Sequence, residues 1–270
     1  MHHQIAGTFG NQYPARQHDA QRTAFYFYLV FVYIHQCPQG NWTQNFKSKN
    51  GRWTACKRSI SQHVFPLADA LAIIIEEVDY TWRLDPYNHY MPPFDKYVTG
   101  IVDVFPVPVP CGQNFGMASL FYQPKYEMTC LKYQVGISLL GDIILFTGPN
   151  LGVASDANIW ENSWADHPFF GWERWLADLG YEGCTGLIYK FKHPPILPHQ
   201  VFYNNLQEWV RNRVENVIGV IKKHRIFLKG IYQGTYEHLV PLIHIVGHVT
   251  AYELRLYSPR FHVYGPWRHT

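Results

Sequence analysis

Two spacings of apolar residues divide the chain. In the first part they recur every three or four positions, as in Ile60, Val64, Leu67, Leu71 and Ile74, the spacing of an amphipathic helix. An unbroken apolar run, Ala24–Ile34, precedes them and ends at Cys37-Pro-Gln-Gly40. From Tyr97 onward the rhythm changes to that of strands. Tyr97–Val109 is rich in Val and aromatics, and Pro106, Pro108 and Pro110 push its far end toward a sheet edge or exit. Leu131–Leu140 and Ile143–Thr147 flank Gly141-Asp142, a compact hairpin signal.

Further along, Ala154–Trp160 reads as a helix start, with Ser155 or Asp156 as its N-cap. Short strands follow around Trp175–Ala177 and Gly186–Lys190, then a loop marked by Pro194, Pro195 and Pro198. A long helix is expected from about Asn204 to Lys223, and a last one from about Tyr236 to Arg255. The segmentation expected is a loose polar tail (1–22), a helical segment (23–84), a Pro-containing linker (85–96), a strand-and-helix domain (97–258) and a C-terminal tail (259–270). Three strands, a helix, two short strands and a long helix form the order of an α/β, RNase H-like domain: a mixed sheet flanked by helices. Other α/β layouts give a similar string.

Composition adds limits. With 270 residues and 47% hydrophobic content, a sizeable core can be buried. Net charge is only +3, so bulk charge points to no polyanionic partner, and clusters must be weighed instead. The five cysteines are odd in number and contain no Cys-x-x-Cys pair, which disfavours a disulfide framework or zinc cluster and fits a reducing compartment. The eleven residues of Ala24–Ile34 are too few to cross a bilayer, so no membrane association is expected. Walker-type and dinucleotide-type glycine loops are absent. His244-Ile-Val-Gly-His248 lacks the glutamate of the H-E-x-x-H motif and reads as a packed or surface pair.

Three acids remain as candidate chemistry. Asp103 interrupts the apolar run Ile101–Val107, and a charge on a buried strand is costly unless paired or bound to a cation. The alternative is a residue facing outward. Asp178 ends Trp175-Leu-Ala, where open α/β sheets meet their ligands; it could equally stabilise its turn through an Asx bond. Glu215 lies on a helix whose apolar stripe is Leu206, Val210, Val214, Val217, Ile218 and Ile221. At about 100° per residue, Arg211 and Gly219 flank Glu215 by about 40° on either side, and Lys222 lies about 20° away. A carboxylate between cations, beside a glycine that permits close backbone approach, suits a site for metal and polyanion. The plain alternative is an Arg211–Glu215 surface pair. Three acids on separate elements are what a two-metal phosphoryl-transfer site requires.

Around these acids the sequence resembles a known family. Val-Asp103-Val-Phe-Pro-Val, Gly152-Val-Ala-Ser-Asp156-Ala-Asn-Ile, Ala-Asp178-Leu-Gly-Tyr and Arg-Val-Glu215-Asn-Val-Ile-Gly together resemble the PIF/Harbinger-type DDE transposases, also called DDE superfamily endonucleases, over roughly residues 95–255. The resemblance implies an RNase H-like fold, Mg²⁺ or Mn²⁺ as cofactor, and cleavage and joining of DNA. It implies Asp103, Asp178 and Glu215 as catalytic metal ligands and Asp156 as a further metal-binding acid. Residues 24–76 resemble, more loosely, the helix-turn-helix preceding such domains, where Arg52, Lys57 and Arg58 would contact DNA. Arg211, Lys222, Lys223 and Arg225 would extend a phosphate-binding surface past Glu215.

The partners implied are transposon ends and target DNA; a homodimer and a separate DNA-binding helper protein stay open, and the location implied is the nucleus. The chain departs from the family pattern at Val104-Phe105 (usually Gly-Thr), at Ser155 (commonly His) and at Leu179 (often Lys or Ser). These departures bear on activity and not on fold. Two alternatives accompany the reading: a catalytically silent, transposase-derived DNA- or partner-binding protein, and an unrelated metal-dependent phosphoesterase.

Overall fold

A computed structural model of the chain describes residues 83–84, 97–109, 119–166, 170–192, 197–224, 227, 236–256 and 261. By its internal contacts the chain divides into units Met1–Pro38 and Gln39–Thr270, and all described residues belong to the second. The helical segment expected over 23–84, with Arg52, Lys57 and Arg58, lies outside the described residues except for 83–84, as does Arg225.

The strands are β1 (Val98–Pro108), β2 (Tyr122–Gln123), β3 (Met128–Ile137), β4 (Ile143–Leu151), β5 (Arg174–Leu176) and β6 (Leu187–Ile188); the helices are α1 (Asp156–Asp166), α2 (Pro198–Ile221) and α3 (Tyr236–Leu256). The main sheet has five strands in the order β4-β3-β1-β5-β6, and the two-residue β2 pairs with the start of β3. β1 runs antiparallel to β3 and parallel to β5, which is parallel to β6. This mixed sheet with flanking helices is consistent with an RNase H-like α/β domain.

The expected hairpin forms because Gly141 adopts φ +98°, a conformation side-chain-bearing residues rarely reach, while the Ser138 amide donates to the Asp142 carbonyl at 2.8 Å. Helix α1 begins where expected. Ser155 caps it, its hydroxyl accepting from the Asn158 amide at 3.2 Å. Helix α2 starts six residues before the expected Asn204. Pro198, read as a loop residue, stands at its first turn, where a missing N–H costs nothing and the fixed φ is already helical.

Each face of the sheet carries its own layer. Antiparallel pairing sets Asp103 opposite Val135 and Phe105 opposite Tyr133, so these four side chains share one face. Helices α2 and α3 cover that face: Arg211 reaches Asp103, Lys222 lies over the Phe105 ring, and His244 packs edge-on against Tyr133 and Phe146. His244 and His248 are thus packed residues, and burial lowers the basicity of both, that of His248 to about 4. The opposite face carries Val102, Val104 and Trp175 against Ile159 and Trp160 of α1. Gly100 and Gly136, on adjacent strands, form the slot for the fully buried Trp175 ring; a Cβ on Gly100 would sit 2.6 Å from it. The Trp175 indole N–H donates to the Thr99 hydroxyl at 2.9 Å, which in turn bonds the buried Glu173–Arg83 pair. Strand β5 is thereby fixed laterally against β1.

Candidate active site

Register brings the first two acids together. Ile101 on β1 pairs with Leu176 on the parallel β5, and Asp103 and Asp178 each stand two residues further along. Period-two alternation then points both carboxylates to the α2 face, from chains about 5 Å apart. Asp178 has an extended backbone, and its side chain makes no capping hydrogen bond to the turn Leu179–Tyr181, so the Asx role open to it in sequence is not taken.

Asp103 is only 20% exposed, which excludes the outward-facing alternative. Its Oδ1 accepts from the Val104 amide at 2.8 Å. Burial is the main reason its pKa is raised from 3.8 to about 6; the Val104 amide and Arg211 oppose the shift, and the charges of Asp178 and Asp156 add to it. The charges of Asp178 and Asp156 are thus felt at the part-buried Asp103.

Helix α2 supplies the third acid and its counter-ion. Arg211 Nη2 lies 2.6 Å from Glu215 Oε1, and Nη1 lies 3.5 Å from Asp103 Oδ2. Arg211, expected at a DNA-contacting surface, is 13% exposed and bridges two acids, with its Nε buried and without a hydrogen-bond partner. Glu215 is half exposed. The i,i+4 pair is real, and its extension to Asp103 makes it more than a surface pair. Lys222 lies over the Phe105 ring; desolvation lowers its pKa and the charge of Asp103 opposes that. Lys223 is exposed. Nothing of the described chain comes within 4 Å of a Cβ placed on Gly219, so the close approach expected there is not made by this chain's described residues.

Asp156 sits differently. It starts α1, and its Oδ1 lies 3.1 Å from Lys132 Nζ, a side chain only 4% exposed that also donates to the Ala154 carbonyl at 2.7 Å. Its other carboxylate oxygen rests 3.1 Å from the Cβ position of Gly180, the second residue of the turn after Asp178. Asp156 thus joins α1 to that turn with an internal cation already supplied. Tyr181 ends the turn fully buried, its hydroxyl without a hydrogen-bond partner. Burial and the charges of Asp103, Asp156 and Asp178 raise its pKa.

Three residues here escaped the sequence reading. Lys132 is the sole charge in an otherwise buried strand, a signal comparable to that of Asp103. Gln207 lies on the line of α2's apolar stripe and is fully buried. Gly136 gave no signal at all, since its role depends on the distant Trp175.

For a divalent cation, the donor chemistry fits at Asp103 and Asp178: hard carboxylate oxygens whose mutual repulsion a cation relieves. The third donor is engaged, since Arg211 holds Glu215. Among the described residues no group of three or more His, Cys, Asp or Glu stands ready to hold a metal ion.

An α/β domain with one acid on β1, one just past the end of the parallel strand β5 and one on the covering helix α2 is a layout compatible with phosphate chemistry. A family model described as DDE superfamily endonuclease matches residues 102–250, more than half of the chain and all three acids. The chain belongs to the DDE superfamily endonuclease family. Comparison with curated proteins and with solved structures found no match.

Proposed function

We propose that the chain is a metal-dependent DNA endonuclease or transposase domain of PIF/Harbinger type, cleaving and joining phosphodiester bonds at Asp103, Asp178 and Glu215. The observation that carries this is the part-buried Asp103, one strand away in register from Asp178 and linked through Arg211 to Glu215, within a DDE endonuclease family match. Asp103 and Asp178 would hold a Mg²⁺ or Mn²⁺ ion, with Glu215 joining once Arg211 releases it. The ion supplies stabilisation of the charge that builds on the reacting phosphate.

The chain's own part is positional. The parallel register of β1 and β5 fixes the separation of the two carboxylates. Arg211, on leaving Glu215, would be free to pair with a phosphate oxygen. Asp156, paired with Lys132 and packed beside Gly180, would support the turn after Asp178 rather than bind metal. Lys222 and Lys223, with Arg225 and the N-terminal Arg52, Lys57 and Arg58, would hold the DNA backbone. By the same resemblance, the nucleus is the proposed place of action.

A second reading, a catalytically silent DNA- or partner-binding protein, is favoured by one observation: Arg211 is already in contact with two of the three acids. Nicking of supercoiled plasmid in Mn²⁺ separates the two. Wild type is expected to nick and Asp178→Ala to be inert; equal activity in both would sink the enzyme reading.

A further inference from the structure

Helix α2 does more than carry Glu215. One turn before Arg211, and two before Glu215, stands Gln207, fully buried. Its side-chain nitrogen donates to the Ala177 carbonyl at 3.2 Å and to the Ile188 carbonyl at 2.9 Å. An amide NH₂ has two protons, and here each has one acceptor, on neighbouring strand ends. The reversed amide would set its oxygen against two carbonyl oxygens, so the acceptors fix its orientation. Its Oε1 is buried without a partner. A side chain kept only for packing would carry no such unmet acceptor, and Leu or Met would fill the space without one.

The Ala177 carbonyl belongs to the peptide plane that continues into Asp178. Because that plane is rigid, holding the oxygen also holds the Asp178 nitrogen and Cα. Strand β5 has ended by this point: beyond Leu176 the ladder continues only through the Ala177 amide, 2.9 Å from the Ile188 carbonyl. Gln207 holds the carbonyl of the same residue, together with the Ile188 carbonyl that its amide reaches, and ties both to the helix that bears Arg211 and Glu215.

We propose that Gln207 is a positioning residue that fixes Asp178, through the Ala177 carbonyl, at the register where it stands beside Asp103 and within reach of Glu215. One strip of α2 (Gln207, Arg211, Glu215) then sets the relative placement of all three acids. The proposal rests on the reading of Asp178 as a catalytic acid and names a residue that touches neither DNA nor metal.

The test compares Gln207→Leu and Gln207→Glu with wild type in Mn²⁺-dependent plasmid nicking across pH, with Mn²⁺ affinity read by electron paramagnetic resonance. Gln207→Leu is expected to lower kcat and Mn²⁺ affinity by about 10–100-fold, the range for residues that orient metal ligands, with KM for DNA unchanged. Gln207→Glu can donate one hydrogen bond while protonated and repels both carbonyls once ionised. Its activity relative to wild type should therefore fall as pH rises, a trend that lost packing alone does not produce. A flat ratio across pH, or wild-type kcat and Mn²⁺ affinity in Gln207→Leu, would overturn the proposal; if Gln207→Leu does not fold, the Gln207→Glu ratio decides. Asp178→Ala in the same assay separates two failures. If it nicks like wild type, the site reading falls and Gln207 has nothing to position. If it is inert while Gln207→Leu is fully active, only the role of Gln207 falls.

Discussion

Asp103→Asn is expected to stabilise the domain while abolishing its chemistry. Burial raises the Asp103 pKa from 3.8 to about 6, so at neutral pH the folded state holds a carboxylate that the unfolded chain solvates better. A group with a raised folded pKa and an acidic side chain destabilises above that pKa, and the penalty fades as pH falls through 6 toward 3.8. A carboxyl moved from 3.8 to about 6 corresponds to about 3 kcal/mol near pH 7 and about 0.5 kcal/mol near pH 4. The side chain is 20% exposed, which leaves little solvent screening to discount. Asparagine keeps the shape and can still accept from the Val104 amide, and Arg211 keeps its shorter contact with Glu215. Urea unfolding of both proteins at the two pH values measures the difference. The gain should be about 2–3 kcal/mol near neutrality, or about 4–12 °C in Tm for a domain of this size, and should nearly vanish near pH 4. A loss of stability at neutral pH, or an equal gain at both pH values, would refute the reasoning.

Other outcomes follow from the same geometry. Arg211→Gln removes a charge that holds the Asp103 pKa down, so the carboxyl titration followed by carbon NMR should move above about 6; an unmoved midpoint would count against the bridge. Gly136→Ala drives a methyl into the Trp175 ring and should cost about 1–3 kcal/mol in chemical unfolding, with Trp fluorescence altered; an unaffected protein would deny the slot. Lys132→Met leaves the Asp156 carboxylate and the Ala154 carbonyl without their shared donor, an expected loss of about 1–3 kcal/mol in the same measurement. Asp156→Asn should retain nicking within a few-fold of wild type, because Lys132 already serves that carboxylate; inactivity equal to that of Asp178→Ala would return Asp156 to the metal site.

Elements with a strong local rhythm were legible in the sequence. The β3–β4 hairpin, α1, α3 and β1 stand within a few residues of their expected bounds, because alternation, turn glycine and cap residues act locally. The start of α2 was misplaced because three prolines suggest a loop, whereas Pro198 opens the helix. The helix wheel put Arg211 beside Glu215, and the pair exists. Its contact with Asp103, 108 residues away, was beyond the wheel, because it depends on which sheet face meets α2. For the same reason Lys132 with Asp156, Gly136 with Trp175 and Gln207 with Ala177 were hidden: each pairing is set by strand order, which no local spacing encodes.

The proposed chemistry requires Asp103 and Asp178 to form one cation-holding site that Glu215 completes. Crystals soaked in Mn²⁺ and measured for anomalous scattering test this most directly. A peak about 2.2 Å from carboxylate oxygens of both Asp103 and Asp178, with Glu215 turned away from Arg211, is the expected result. Well-ordered crystals with no peak at these carboxylates, or with Mn²⁺ bound only elsewhere, would contradict it.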